Sequence, residues 1–338
     1  MALKAYIAKR IAIALITVYI VATLNFVIFV VHPGDPVRYL LDPEMTEEQK
    51  YRIKLEYGYF DPWHVRYFKY LRNLMSFGLI PPYFGISLVK HTYVASEMAW
   101  RLPLTIGLLG LALIGTILLG IPVGILAASK RGKKLDVAIM GVGLFTYGVP
   151  TFFIQLIALL FFVTYLRQTY GILLFPSGGW ISYPRPQGLF PVLLNILWHF
   201  SLPVLTLIVA AFAGWALYTR NMLLDSLTQD YVLTARAKGL SERSVLFKHA
   251  LKSIYPPIAT LITLSIPGLV TGAIITEQVF GLQGIGQWYI NSISLVQPDY
   301  PVVEAVLFIY AVLVIVCNLI ADLLYGVLDP RIRVGARR

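Results

Sequence analysis

The sequence predicts an all-α polytopic membrane protein. It has six transmembrane helices, both termini inside, and a helical extracytoplasmic lobe after the first helix. Three observations carry this. Of 338 residues, 58% are apolar and 13% charged, against about a quarter charged in a soluble domain. Six apolar stretches reach the roughly 20 residues that cross a bilayer. Lysine and arginine interrupt none of them and gather on one side. This composition excludes an ordinary soluble enzyme and a disordered chain. The single cysteine, Cys317, excludes an intrachain disulfide and reads as a small hydrophobe in an apolar run.

The first stretch, Ile11 to Val31, follows Lys4, Lys9 and Arg10. It is long for a signal peptide. His32-Pro33-Gly34-Asp35 stands where small cleavage-site residues belong, so it reads as a retained anchor closing a first region, 1–31. Residues 32–101 hold eight acidic and nine basic residues and are too polar for lipid. Within them Thr46-Glu47-Glu48-Gln49 opens a helix that Thr46 caps. Tyr51, Ile53, Tyr57, Tyr59, Phe60, Trp63 and Tyr67 give this lobe an aromatic surface suited to a packed cap or interfacial belt.

Residues 102–338 hold the other five spans, at 102–128, 137–166, 200–218, 257–275 and 302–324. In the second span Gly120 and Gly124 form a small-xxx-small pair, which lets two helix backbones approach, within the chain or with a partner. With the N-terminus inside, the inner segments carry 17 of the 28 basic residues and the whole net charge of +11. The charge is therefore read as a membrane-orientation signal and not as a nucleic-acid footprint.

Sites of enzyme chemistry are missing. His32, His64, His91, His199 and His249 share no metal-ligand spacing, and there is no P-loop and no GxSxG elbow. No catalytic residue, metal ligand or cofactor is assigned. Glu97, Glu277 and Glu304 lie near outer span ends and Asp322 near an inner end, without a chain of buried carboxylates. The interiors offer Asn25, Thr146, Tyr147, Gln155, Thr206, Thr263 and Thr271. Of these, Asn25, Gln155 and Thr271, with Glu277, are the candidate lining of a solute path. Interhelical hydrogen bonding is the alternative for each.

The inner segment 219–256 is the most informative. From Asp230 it reads DYVLTARAKGLSERSVLFKHALKSIYPP. Thr234-Ala235-Arg236-Ala237-Lys238 is a helix-forming run, and Gly239 supplies a turn at its end. Leu240 leads to Ser241, an N-cap for a second helix with Glu242 in its first turn. Val245, Leu246, Leu251 and Ile254 follow at helical spacing, and Pro256-Pro257 is expected to end the helix. The expectation is two short helices at an angle on the membrane surface. A basic segment lying on anionic lipid is the plainer reading.

This segment resembles the EAA loop of ABC importer permeases. Pro33-Gly34-Asp35-Pro36, Arg101-Leu102-Pro103, Phe175-Pro176-Ser177-Gly178-Gly179-Trp180, Leu202-Pro203, Glu277-x-Val279-Phe280, Asp299-Tyr300-Pro301 and the tail from Asp322 through Leu328-Asp329-Pro330-Arg331-Ile332-Arg333 extend the likeness. They are similar, in order, to the dipeptide/oligopeptide branch of the binding-protein-dependent inner membrane components. In that family Pro-Gly-Leu/Ile-Gly usually stands where this chain has Gln283-Gly284-Ile285-Gly286. The resemblance implies a type I importer permease fold and a multi-pass subunit in the cell membrane that carries di- or oligopeptides, with oligosaccharides or chelated nickel as alternatives. It implies a second related permease, two cytoplasmic ATPase subunits that hold ATP and magnesium, and an extracytoplasmic solute-binding protein. It places ATPase coupling on Thr234, Ala235, Arg236, Ala237, Lys238, Gly239, Leu240 and Ser241. An ion-coupled carrier would need a coupling-ion site within a span, and a membrane enzyme a catalytic pair. Neither is visible.

Overall fold

The computed structural model describes residues 2–31, 45–56, 60–77, 79–80, 84–265, 274–293 and 298–328, most of them helical. Five helices are long and apolar enough to cross a membrane: Ala5–Phe29, Val94–Ser129, Thr151–Tyr170, Leu189–Leu227 and Tyr300–Leu323. The chain divides into two compact units, Met1–Thr105 with Gly284–Arg338, and Ile106–Gln283.

The first unit contains α1 (Ala2–Phe26), α2 (Glu47–Glu56), α3 (Trp63–Met75) and the start of α4 (Val94–Ser129). Helix α13 (Ile285–Ser292) and α14 (Tyr300–Leu328) complete it. Helix α1 lies antiparallel to α14. Arg10 pairs with Asp322 at 2.7 Å near one end, and Asn25 Nδ2 donates to the Glu304 carbonyl at 3.0 Å near the other. Helix α2 begins with the expected cap, made reciprocal by Gln49. Thr46 Oγ1 accepts from the Gln49 N–H, and Gln49 Oε1 accepts from the Thr46 N–H. Phe26 of α1 packs against Tyr67 and Tyr70 of α3, with ring centroids 5.1 and 5.4 Å apart, so Tyr67 of the expected aromatic surface is half-buried against α1. Asp299, just ahead of α14, is buried. It accepts from the Ser87 hydroxyl and the Leu88 N–H and so holds the turn before α4.

The second unit contains the rest of α4, α5 (Lys134–Gly148) and α6 (Thr151–Ala158). Helix α6 runs on through a π-helical stretch, Leu159–Tyr165, into α7 (Leu166–Tyr170). Helix α8 (Leu189–Leu227), α9 (Asp230–Ala237), α10 (Glu242–Ser244), α11 (Leu251–Ser265) and α12 (Ile274–Val279) follow. The small-residue pair of α4 packs within the chain. A Cβ on Gly120 would lie 2.5 Å from Trp215 Cβ, and one on Gly124 would lie 2.4 Å from the Ala216 oxygen of α8.

Three expectations change. The span expected over 137–166 is two helices. Val149 is extended (φ −81°, ψ 129°) because the following Pro150 disfavours the helical region, and α6 restarts after it. The span expected at 200–218 sits inside a longer helix, α8, which carries nine residues of the supposed loop, 219–227. Pro256 and Pro257 do not end the second loop helix. It passes through them in α11, where Leu251, Ile254 and Ile258 are buried, and packing of this face outweighs the two lost amide donors. Part of the span expected at 257–275, including Thr271, lies outside the described residues.

Candidate functional site

The loop after α8 folds as two helices meeting at Gly239. Helix α9 ends in a Schellman motif. The Leu240 N–H reaches the Ala235 carbonyl at 3.4 Å, and the Gly239 N–H reaches the Arg236 carbonyl at 2.9 Å. This closure needs a left-handed residue, and Gly239 has φ +77°. A Cβ there would meet nothing within 4 Å, so the demand for glycine is conformational. Ser241 then caps α10, its Oγ accepting from the Ser244 N–H at 3.4 Å. Helix α10 continues through a π-helical turn, Val245–Ala250, into α11.

One apolar cluster fixes the pair. Val232 and Ala235 of α9 pack with Leu223 of α8, Ala128 of α4, and Val245, Leu246, Ala250, Leu251, Ile254 and Ile258. Ser226 of α8 adds a polar tie, donating to the Ala250 carbonyl at 3.0 Å. Of the eight residues expected to form the site, Ala235 is buried in this cluster. Thr234, Arg236, Ala237, Lys238, Gly239, Leu240 and Ser241 face outward. The Thr234 hydroxyl is spent on the Asp230 carbonyl. Arg236 bridges the two helices, its Nε and Nη2 donating to the Glu242 carboxylate at 2.9 and 3.2 Å. Beside the bend an open groove of about 330 Å³ is lined by Ser241, Arg243, Ser244, Phe247 and Lys248. The result is a basic two-helix knob with exposed Leu240 and Phe247.

A contact that sequence reading missed ties α5 to α8, the helix that carries this knob. Arg220 of α8 grips Asp136 at the start of α5 through both carboxylate oxygens, Nε to Oδ1 at 2.7 Å and Nη2 to Oδ2 at 2.8 Å. The Gly132 N–H also donates to Oδ2 at 3.0 Å. These hydrogen bonds, the Arg220 pair foremost, hold the Asp136 carboxyl below the usual carboxylate range. The visible signal was one acid beside Lys130, Arg131, Lys133 and Lys134.

The expected path residues have different fates. Gln155 of α6 is fully buried. Its Nε2 donates to Thr276 Oγ1 of α12 at 2.8 Å, while its Oε1 lacks a partner among the described residues. Glu277, next to Thr276, is buried too. Asn25 belongs to the first unit and spends its amide on the Glu304 carbonyl. Thr271 lies outside the described residues. Thr146, Thr206 and Thr263 each donate to a carbonyl of their own helix. Among the described residues, no three His, Cys, Asp or Glu side chains gather as a metal-ligand group.

Residues 120–334, which hold the whole helix pair, match the family described as "Binding-protein-dependent transport system inner membrane component". The chain belongs to this family. Residues 3–109 match the N-terminal domain of binding-protein-dependent transport system membrane components. This family member is 35% identical to the oligopeptide transport system permease protein AppB of Bacillus subtilis (strain 168), over 98% of this chain and 99% of that one. It is 35% identical to the di/tripeptide transport system permease protein DppB of Pseudomonas aeruginosa (strain UCBPP-PA14), over 97% and 98%. It is 32% identical to the dipeptide permease DppB of Lactococcus lactis subsp. cremoris (strain MG1363), over 97% and 99%. A chain of the MetNI methionine ABC transporter in an inward-facing form shares the fold, with TM-score 0.52 and 18% identity over 69% of this chain and 97% of that one. The binding-protein-dependent component described here is thus an all-helical, multi-pass membrane protein.

Proposed function

We propose that the chain is the permease subunit of an ATP-driven, binding-protein-dependent importer of di- and oligopeptides. The observation that carries this is the two-helix knob closed by Gly239 and fixed to α4 and α8 by one apolar cluster. Full-length relatives named as oligopeptide, di/tripeptide and dipeptide permeases supply the substrate class. The chain is a non-catalytic subunit. It pairs with a second related permease and takes substrate from an extracytoplasmic binding protein. Two cytoplasmic ATPases hold the ATP and magnesium, and each receives a knob of this kind. Here the outward side chains of Thr234 to Ser241 make the contact, and Ala235 anchors it. ATP favours the closed ATPase dimer, and a knob that moves with the dimer converts this into a preference for one transmembrane arrangement.

In this reading the five long helices and the apolar stretch 257–275 are six crossings, N-in and C-in, with residues 32–101 outside; the five helix lengths and the inner-side bias of basic residues support it. Gln155 and Glu277 contribute polar groups to the path, and Thr271 belongs to the same set. The test is Gly239→Asp in the assembled transporter. Membrane insertion is expected to stay intact while substrate uptake is uncoupled from ATP hydrolysis. Wild-type uptake by this variant would remove the coupling role.

A further inference from the structure

Helix α8 runs unbroken from Leu189 to Leu227, and Arg220 lies about two turns before its end. Beyond that end, Val232 and Ala235 of α9 share one apolar cluster with Leu223 of α8 and Ala128 of α4. The knob is therefore fixed to α8. Helix α5 packs along α8. Gly143 approaches Ala213 so closely that a Cβ on the glycine would lie 3.0 Å from Ala213 Cβ. At the other end stands the Asp136–Arg220 pair. The Asp136 carboxylate is almost wholly buried and takes two guanidinium donors and the Gly132 amide. Gly132 itself has φ +73°, so the turn between α4 and α5 is shaped to present that amide. Helix α5 then leads through the break at Val149–Pro150 to α6, which carries Gln155.

We propose that Asp136 and Arg220 are positioning residues for coupling. Their two-point ion pair makes α5 move as one body with α8 and the knob, so that displacement at α9 reaches α6 and the Gln155–Thr276 contact. A planar guanidinium gripping both carboxylate oxygens fixes angle as well as distance, which a lysine cannot do. This inference rests on the importer reading given above.

The test uses the complete transporter, with its ATPases and its binding protein, reconstituted in membrane. Spin labels are placed at Val137→Cys and Asp230→Cys in a Cys317→Ser background, and their separation is read without nucleotide and with ATP–vanadate. With Arg220 intact, one narrow distance distribution common to both states is expected. With Arg220→Met the distribution is expected to broaden or shift between states. The stimulation of ATP hydrolysis by the binding protein, as a ratio to the basal rate, is expected to fall several-fold. Asp136→Asn is expected to fall less, and Arg220→Lys to sit between Arg220→Met and the parent. Asp136→Arg combined with Arg220→Asp is expected to recover part of the ratio that either single change loses. A purely structural role would lower the amount of assembled complex without this recovery.

Label distributions and stimulation ratios in Arg220→Met equal to those of the parent would overturn the proposal. So would a parent distribution that itself changes between the two states. If Arg220→Met does not assemble, Arg220→Lys and the exchanged pair decide by the same two readouts. A parent complex whose ATP hydrolysis ignores the binding protein overturns the importer reading instead, so the two failures are distinct.

Discussion

A Cβ added to Gly124 of α4 would stand 2.4 Å from the main-chain oxygen of Ala216 on α8 and 2.8 Å from Thr219 Cβ. Two helix backbones are therefore nearly in contact across this pair, the kind of approach that stabilises helices in lipid through packing. Gly124→Ala is expected to cost about 1–3 kcal/mol, as overpacking of a close-packed interface does. Gly141→Ala is the control, since a Cβ there meets nothing within 4 Å. Thermal midpoints of the detergent-solubilised permease check both. Equal midpoints for the two variants would contradict the close approach.

Asp299 holds the Ser87–Leu88 turn through buried hydrogen bonds. Asp299→Ala leaves the Leu88 N–H and the Ser87 hydroxyl without their acceptor. A loss of about 1–3 kcal/mol is expected for such an abandoned buried group. Asp299→Asn keeps an acceptor oxygen and should lose less. The ordering of the two thermal midpoints is the measurement.

Gln155 separates stability from transport. Its side-chain hydrogen bond to Thr276 joins α6 to α12, and among the described residues its Oε1 has no partner. Gln155→Leu removes a side-chain bond of a kind that averages about 0.6 kcal/mol in membrane proteins, and it removes the orphaned acceptor as well. The thermal midpoint should therefore barely move, while uptake of a labelled tripeptide by the full transporter should fall. A variant with wild-type uptake would take Gln155 out of the path.

Asp136 sets a pH signature. Its carboxyl is held below the ordinary value, so the Arg220 pair contributes fully above the unfolded aspartate pKa of about 3.9. That contribution is lost as pH falls through the lower folded value. The stability difference between the parent and Asp136→Asn is expected to be constant from about pH 8 to pH 5, because both lie above the unfolded pKa. It should shrink toward zero below about pH 4. A difference that instead shrinks above pH 5 would exclude this pair as its source.

Much of this arrangement is legible in the sequence. The Gly239 turn and the Ser241 cap follow from local backbone chemistry, which acts within a few residues, and both stand as read. The Thr46–Gln49 cap is legible for the same reason. The apolar lengths marked four of the five long helices, those starting at Ala5, Val94, Leu189 and Tyr300, because lipid imposes a length that composition records directly. Long-range pairings left no local trace. Nothing near Arg220 announces a partner 84 residues earlier, and nothing near Gln155 announces Thr276. The break at Pro150 was hidden because hydropathy stays high on both sides of it. Pro256 and Pro257 misled for the opposite reason, since tertiary burial of Leu251, Ile254 and Ile258 overrode a strong local stop signal.

The interruption at Val149–Pro150 has a consequence for biogenesis. Helix α5 has 15 residues, about 22 Å of rise, against a hydrocarbon layer of about 30 Å. Released from the ribosome alone it is too short to settle across the bilayer, so its integration waits until the residues behind Pro150 have emerged. Helices α5 and α6 would then enter the bilayer together as one bent segment, with Thr151–Tyr170 supplying the length that α5 lacks.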